Sequence, residues 1–355
     1  MKYNRRSFIS FLGKASLGAI VVPPFLMSSG SSPTPITGEK IAKATLERLK
    51  KVVLKSINPS DIDDLVLANG LHYHTIVKWG DQINNTDTFG FNNDFTCFIP
   101  LDDENPKDGL LWVNHEYMNP LFVSEYNYRD KNQKRTKEQV DKEMYQVGGS
   151  IVRIKEENGT WNVVENDPLN RRITAKTPMQ LNWDEPIKGK EVVVGTLANC
   201  SGGITPWKTF LTCEENYDGF YGETIYDQNN KPQHKPSTYY NWEQFYTYPP
   251  EHYGWVVEIN PKDGSSQKHI ALGRFAHECC TLYELEDKRV VAYSGDDAND
   301  EHLYKFISST PSSLKEGTLY VADTINGKWL PLDWKRQPIL KKQFKNISVN
   351  NIMSN

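Results

Sequence analysis

Hydrophobic positions along the chain follow two rhythms. From Glu39 to Val53 the apolar side chains Ile41, Ala42, Leu46, Leu49 and Val53 recur at helical spacing, which predicts one amphipathic helix. Beyond it that period nearly vanishes. Short apolar runs take its place at Thr75–Trp79, Leu110–Val113, Ile151–Ile154, Glu191–Leu197, Phe210–Thr212, Trp255–Ile259, Val290–Tyr293, Leu303–Ile307 and Leu319–Ala322, each closed by Gly, Asn, Asp or Pro. Ile151–Ile154 and Trp161–Val164 flank Glu157-Asn158-Gly159, and Asn-Gly between apolar runs is a strong hairpin signal. The stretch from Lys131 to Met144 interrupts the series with a helical pattern. Many short strands with frequent turns predict an all-β body with small helical additions; a propeller and a large sandwich both satisfy the pattern, and no clean repeat separates them.

The first residues stand apart. Asn4-Arg5-Arg6-Ser7-Phe8-Ile9 precedes a weakly apolar run from Phe11 to Met27, broken by Gly13, Lys14, Gly18 and Pro23-Pro24 and therefore a poor spanning helix. This predicts a signal peptide over 1–30, a linker over 31–38 and one body over 39–355. Adjacent arginines followed by Phe resemble a twin-arginine export signal more than an ordinary secretory one. The partner that this implies is the twin-arginine translocation machinery, which exports folded proteins, and the destination is periplasmic or extracellular. Cysteine is absent from the cleavage region, so no stable membrane anchor is expected.

Composition narrows the chemistry. The chain has 355 residues and a formal charge of −4; without its first thirty residues it holds 37 basic against 45 acidic side chains. So acidic a body predicts no nucleic-acid binding and suits cations. All five cysteines, Cys97, Cys200, Cys213, Cys279 and Cys280, follow the signal peptide, and an odd count leaves at least one thiol unpaired. A metal ligand is one use for such a thiol; an inert buried side chain is the other, and it is the reading preferred for Cys97.

Acids, His and Cys concentrate beside Gly in four segments: 113–120, where a strand runs into Asn114-His115-Glu116; 199–216, with Cys200, Gly202-Gly203, Cys213, Glu214 and Glu215; 273–278, with Arg274, His277 and Glu278; and 293–301, with Asp296 and Asp297. Crowded carboxylates repel one another unless protons or a cation neutralise them. Carboxylates suit hard ions, and an added thiolate shifts the preference toward a transition metal. Gly202-Gly203 predicts close backbone approach to a ligand, and the planar fork of Arg274 matches phosphate. Neither a G-x-S-x-G elbow nor a G-x-x-x-x-G-K-[ST] loop occurs.

Taken in order, the stretches KWGD at 78–81, FGFNND at 89–94, NHEYMNP at 114–120, NCSGGITPWKTFLTCEEN at 199–216, GRFAHE at 273–278, YSGDDANDEHLYKF at 293–306 and GTLYVAD at 317–323 resemble the PhoX-type alkaline phosphatases. The resemblance runs from about Asp61 to about Leu340 and implies a six-bladed β-propeller with appended helices. It also implies a site of iron (Fe³⁺) and calcium (Ca²⁺) at one end of the central channel, and hydrolysis of small phosphate monoesters and some diesters. Carried over by motif, the metal ligands are Glu116, a thiolate from Cys200 or Cys213 with Cys200 favoured, Glu214 or Glu215, Glu278, and Asp296 or Asp297, while Arg274 and Asn199 contact phosphate. The chain departs from the family in ending at Asn355 without a later arginine- and glutamate-containing block, and in carrying Lys208 where a small residue is usual. The shortness makes a catalytically inactive calcium-binding module, or a fragment of a longer phosphatase, the alternative reading. A metal-assisted esterase or lactonase stands third, since ester hydrolysis needs neither the thiols nor Arg274.

Overall fold

The computed structural model describes residues 55–333 apart from 230 and 238. The signal peptide, the linker, the helix expected over 39–53 and the polar tail 346–355 lie outside them. The chain divides between Tyr73 and His74. Residues 55–73 contain no helix or strand, and Tyr73 there donates a 2.6 Å hydrogen bond to Asp64. The expected strand at Thr75–Trp79 does not form: Lys78 N–H donates to the Asp81 carboxylate at 2.7 Å and Asp81 N–H returns to the Lys78 carbonyl, so the segment closes into a turn.

The body from residue 74 is mostly β. Its first sheet holds β1 (Asn93–Asp102), β2 (Asn105–His115), β3 (Gly148–Glu157) and β4 (Thr160–Val163) in that order, with β5 (Arg171–Ile173) also beside β3. The second contains β6 (Pro178–Leu181), β7 (Val192–Val194), β8 (Asn199–Ile204) and β9 (Phe210–Glu214). After a separate hairpin of β10 (Glu223–Tyr226) and β11 (Pro232–Lys235), β12 (Val256–Ile259) and β13 (Ser266–His269) complete the second sheet in the order β7-β6-β13-β12-β9-β8. The third is a meander of β14 (Thr281–Glu284), β15 (Val290–Gly295), β16 (Leu303–Ser308), β17 (Gly317–Asp323) and β18 (Lys328–Pro331). The Asn158-Gly159 turn joins β3 to β4 with φ of 53° and 84°, as its sequence predicts. Among the described residues the α-helices are α1 (Pro120–Ser124), α2 (Lys137–Gln146) and α3 (Asp218–Tyr221). The helix expected from Lys131 begins at Lys137, because Thr136 and Gln139 form a capping box there.

The second sheet lies between the other two. Phe210, Val257 and Ile259 face Ile99, Leu110, Trp112 and Ile151 of the first sheet, and Trp112 stacks on Phe210 with ring centroids 5.9 Å apart. Leu211, Cys213 and Val256 face Val290, Ala292 and Phe306 of the third. Strand period two therefore splits β9 between two cores, which explains why all of it is buried and why it reads as a continuous apolar run. The approach that Gly202-Gly203 permits is to protein backbone: a Cβ at Gly202 would lie 2.0 Å from the Leu211 carbonyl oxygen, and one at Gly203 2.3 Å from that of Cys280. Backbone cannot swing aside as a flexible side chain can. Gly203→Ala is therefore expected to destabilise the fold by about 1–3 kcal/mol, read as a lower urea midpoint at unchanged m-value; an unchanged midpoint contradicts that contact.

Candidate metal centre

Three hairpins, one from each sheet, end in the same construction. Glu116 follows the last residue of β2, and its N–H donates to the carbonyl of Asn92 at 3.3 Å, two positions before Asp94. Glu215 follows β9, and its N–H donates to the carbonyl of Ala198 at 2.9 Å, two positions before Cys200. Asp297 N–H donates to the carbonyl of Ala276 at 3.1 Å, two positions before Glu278. Each hairpin thus presents one donor on or just before its entering strand and one acid just past its returning strand: Asp94 with Glu116, Cys200 with Glu215, and Glu278, which precedes β14, with Asp297. Asn92 and Ala198 hold left-handed φ of 54° and 52°, a conformation that non-glycine residues keep mainly where the surroundings enforce it.

These donors converge. Carboxylate oxygens of Asp94 and Glu116 and the Cys200 Sγ lie within 4.8 Å of one another, and so do Cys200 Sγ and carboxylate oxygens of Glu215 and Glu278. Cys200 belongs to both groups. Its thiol is hydrogen-bonded to Glu215, which is also hydrogen-bonded to Asp297. Asn216 Nδ2 donates to Glu215 as well.

The cluster is electrostatically unbalanced. Burial, together with the charges of Asp94, Glu278 and Asp297, pushes Glu116 up to about 7 despite a hydrogen bond from Glu215. Burial, the hydrogen bond to Asp297 and the Asp297 and Glu278 charges push Glu215 up to about 8. Burial and the same acids raise the Cys200 thiol far above its ordinary range. A positive ion among these groups reverses all three effects at once. The sign of the linkage follows for these two carboxyls: they bind more protons in the folded than in the unfolded chain between roughly pH 4.5 and 8, so their contribution to the stability of the metal-free protein falls as pH rises through that window. Because buried His252 and His277, pushed down to about 4, act in the opposite direction, the cluster is read from the difference that an ion makes: Ca²⁺ added to chelator-treated protein is expected to raise the melting temperature more at pH 8 than at pH 5. A Ca²⁺ effect independent of pH runs against a proton-holding acid cluster.

The structure separates the alternatives that the sequence leaves open. Glu215 points into the cluster, whereas Glu214 is fully buried and turned away: Oε1 accepts from Lys268 Nζ at 2.7 Å, and Oε2 accepts from the N–H groups of Gly254 and Trp255 at 2.9 and 3.1 Å. Cys200 lies in the cluster, whereas Cys213 is buried in the apolar layer between the second and third sheets. Asp297 bonds with Glu215, whereas Asp296 pairs across a bridge with His277 and accepts from Ala298 N–H at 3.0 Å. Glu116 and Glu278 each belong to one of the two groups around Cys200.

Two expected phosphate contacts are instead built into the scaffold. Arg274 Nε donates to the Tyr253 carbonyl at 2.7 Å, its Nη2 donates to Glu223 and to the Pro250 carbonyl at 3.0 Å, and the guanidinium lies 4.5 Å from the centroid of the Tyr217 ring. Asn199 is fully buried and donates to the hydroxyls of Thr196 and Thr212. Lys208 sits at φ 65° in the β8–β9 turn and pairs with Asp103 at 2.6 Å. The donor missed by sequence reasoning is Asp94, the exposed acid near the start of β1, although it closes the motif at 89–94 that supports the family resemblance.

Residues 52–354 match the family model described as alkaline phosphatase PhoX. Among solved structures, the chain is similar to one described as Pseudomonas fluorescens PhoX in complex with vanadate, a transition state analogue: identity is 29%, the TM-score is 0.66, and the match covers 79% of this chain and 58% of that one. This chain therefore spans well under two thirds of that relative's length. No protein of curated function matches.

Proposed function

Because this chain belongs to the PhoX alkaline phosphatase family, we propose that it is an exported, metal-dependent phosphatase acting on phosphate monoesters, and on some diesters, through an iron and calcium centre. The observation that carries this reading is the convergence of Cys200 with carboxylates from three hairpins, at a density of negative charge that side chains alone do not neutralise. The donor set fits both ions: oxygen-only ligands suit calcium, and one thiolate among carboxylates suits iron. Asp94, Glu116, Cys200, Glu215 and Glu278 would hold them, with Asp297 beside Glu215. When bound, the ions supply charge neutralisation for the phosphate, activation of the attacking oxygen and stabilisation of the leaving oxygen.

The chain's own residues do the preparatory work. Burial and neighbouring acids favour the protonated forms of Glu116 and Glu215 in the metal-free protein, and a bound ion would favour loss of those protons. Asn216 and Asp297, both hydrogen-bonded to Glu215, restrict its rotamer beside Cys200. Arg274 ties the β10 hairpin to the loop ahead of β12, and so braces the second sheet from which two donors project.

The three sheets direct equivalent hairpin ends at one point, which supports a propeller-like arrangement of sheets around the centre; the six-bladed form is the family expectation. Export by the twin-arginine route rests on Arg5-Arg6 and the run that follows. Elemental analysis of the exported, folded protein tests the whole reading. Iron and calcium near fixed ratios to protein, with vanadate-sensitive release of phosphate from a small monoester, are the expected result. Calcium without iron and without turnover would favour the non-catalytic calcium-binding module.

A further inference from the structure

We propose that Asn114, a residue outside the donor set, is the positioning residue for the Cys200 thiolate. The β8–β9 register is shifted between Asn199 and Gly202, so Cys200 and Ser201 sit in a bulge. A bulge re-aims a side chain and leaves its backbone groups outside the ladder. Here both of the displaced carbonyls are taken up by one side chain from a different sheet. Asn114 Nδ2 donates to the carbonyl of Cys200 at 2.6 Å and to that of Ser201 at 3.0 Å.

Asn114 is itself completely buried, and its Oδ1 accepts from Trp112 Nε1 at 2.6 Å and from Thr212 Oγ1 at 2.8 Å. Indole N–H can only donate, so Trp112 fixes which end of the amide faces the bulge. Every donor and acceptor of the amide is in use, which leaves the side chain no alternative rotamer that keeps its bonds. Two positions further on, just past the end of the same strand, stands Glu116, a member of the first donor group. Asn114 thus sets the distance between the strand that carries Glu116 and the bulge that carries Cys200. Without it, two buried carbonyls lose their partners, and the bulge relaxes toward whatever donors it can reach, taking Sγ with it.

This inference rests on Cys200 being a metal ligand, and the test separates the two ideas. The full-length protein is stripped of metal and titrated with Co²⁺, whose thiolate complexes show a near-ultraviolet charge-transfer band that carboxylate complexes lack. The wild type is expected to show the band and Cys200→Ser to lose it. Asn114→Ala is expected to bind Co²⁺ at least about tenfold more weakly, and at saturation to show less than half of the wild-type band intensity per bound cobalt while still unfolding cooperatively. A purely structural role would lower the unfolding midpoint and leave the band per bound cobalt unchanged, which overturns the proposal. Should Asn114→Ala fail to fold, Thr212→Val removes one anchor of the amide at nearly constant volume; a reduced band supports the proposal, and a wild-type band with wild-type affinity overturns it. Absence of the band from the wild type, or its persistence in Cys200→Ser, overturns the assignment of the centre itself.

Discussion

Cys200→Ser is expected to reduce phosphate-ester hydrolysis by at least about 10²-fold while the protein stays folded. Loss of an outer-shell partner already costs a metal site 10–100-fold, and Cys200 is the one donor that belongs to both groups. Serine keeps the shape and the possibility of a hydrogen bond to Glu215 but is a poor anionic ligand at neutral pH. Steady-state hydrolysis of a small aryl phosphate, alongside metal content and circular dichroism, checks this. Cys213→Ser is the control: its thiol faces the apolar layer, so it is expected to lower stability and keep catalysis. If Cys213→Ser loses iron and turnover while Cys200→Ser keeps both, the two thiols have been assigned the wrong way round.

The largest stability effect is expected at Lys268. Lys268 and Glu214 are both completely buried and 2.7 Å apart, and Lys268 Nζ also donates to the His252 carbonyl at 2.8 Å and lies 4.5 Å from the Tyr253 ring centroid. Burial lowers the Lys268 ammonium, and the Glu214 charge opposes that shift. Removing one member of such a pair strands the other charge in the interior. Lys268→Met is therefore expected to cost about 3–5 kcal/mol, most of which returns in the double variant with Glu214→Gln. Urea denaturation of the single and double variants measures both. If Lys268→Met costs under about 1 kcal/mol, the pair is not the uncompensated charge risk that its burial implies.

About half of the described strands were legible in the sequence, chiefly middle strands of the stacked sheets, which are buried on both faces. Phe210–Thr212 and Trp255–Ile259 read as apolar runs for that reason. Strands such as β6 and β13, whose parallel pairing joins segments far apart in sequence, carry no local signal. At the site, motif order led to the segments whose acids and thiol converge, but not to which of two adjacent side chains joins the cluster. Glu214 and Glu215 differ by one residue, and one step along a strand end reverses the face: one carboxylate meets a buried lysine, and the next meets the thiol. Arg274 and Asn199 look like ligand contacts in sequence because guanidinium and amide groups serve scaffolds and ligands equally well. Only their burial and partners distinguish the two uses. Asp94 escaped notice because an exposed acid beside two asparagines also reads as a turn.

The threefold hairpin construction also fixes when the centre can come into being. Its donors enter the chain in three instalments, near Asp94 and Glu116, then Cys200 and Glu215, then Glu278 and Asp297. A nascent chain that has released only the first two hairpins from the ribosome holds a thiol and three acids with no third wall. Non-local contacts of this kind form late and slowly. Under the proposed function, an ion held by the group that includes Glu278 would therefore be captured at the end of folding, and its retention would become a readout of whether the third sheet has docked.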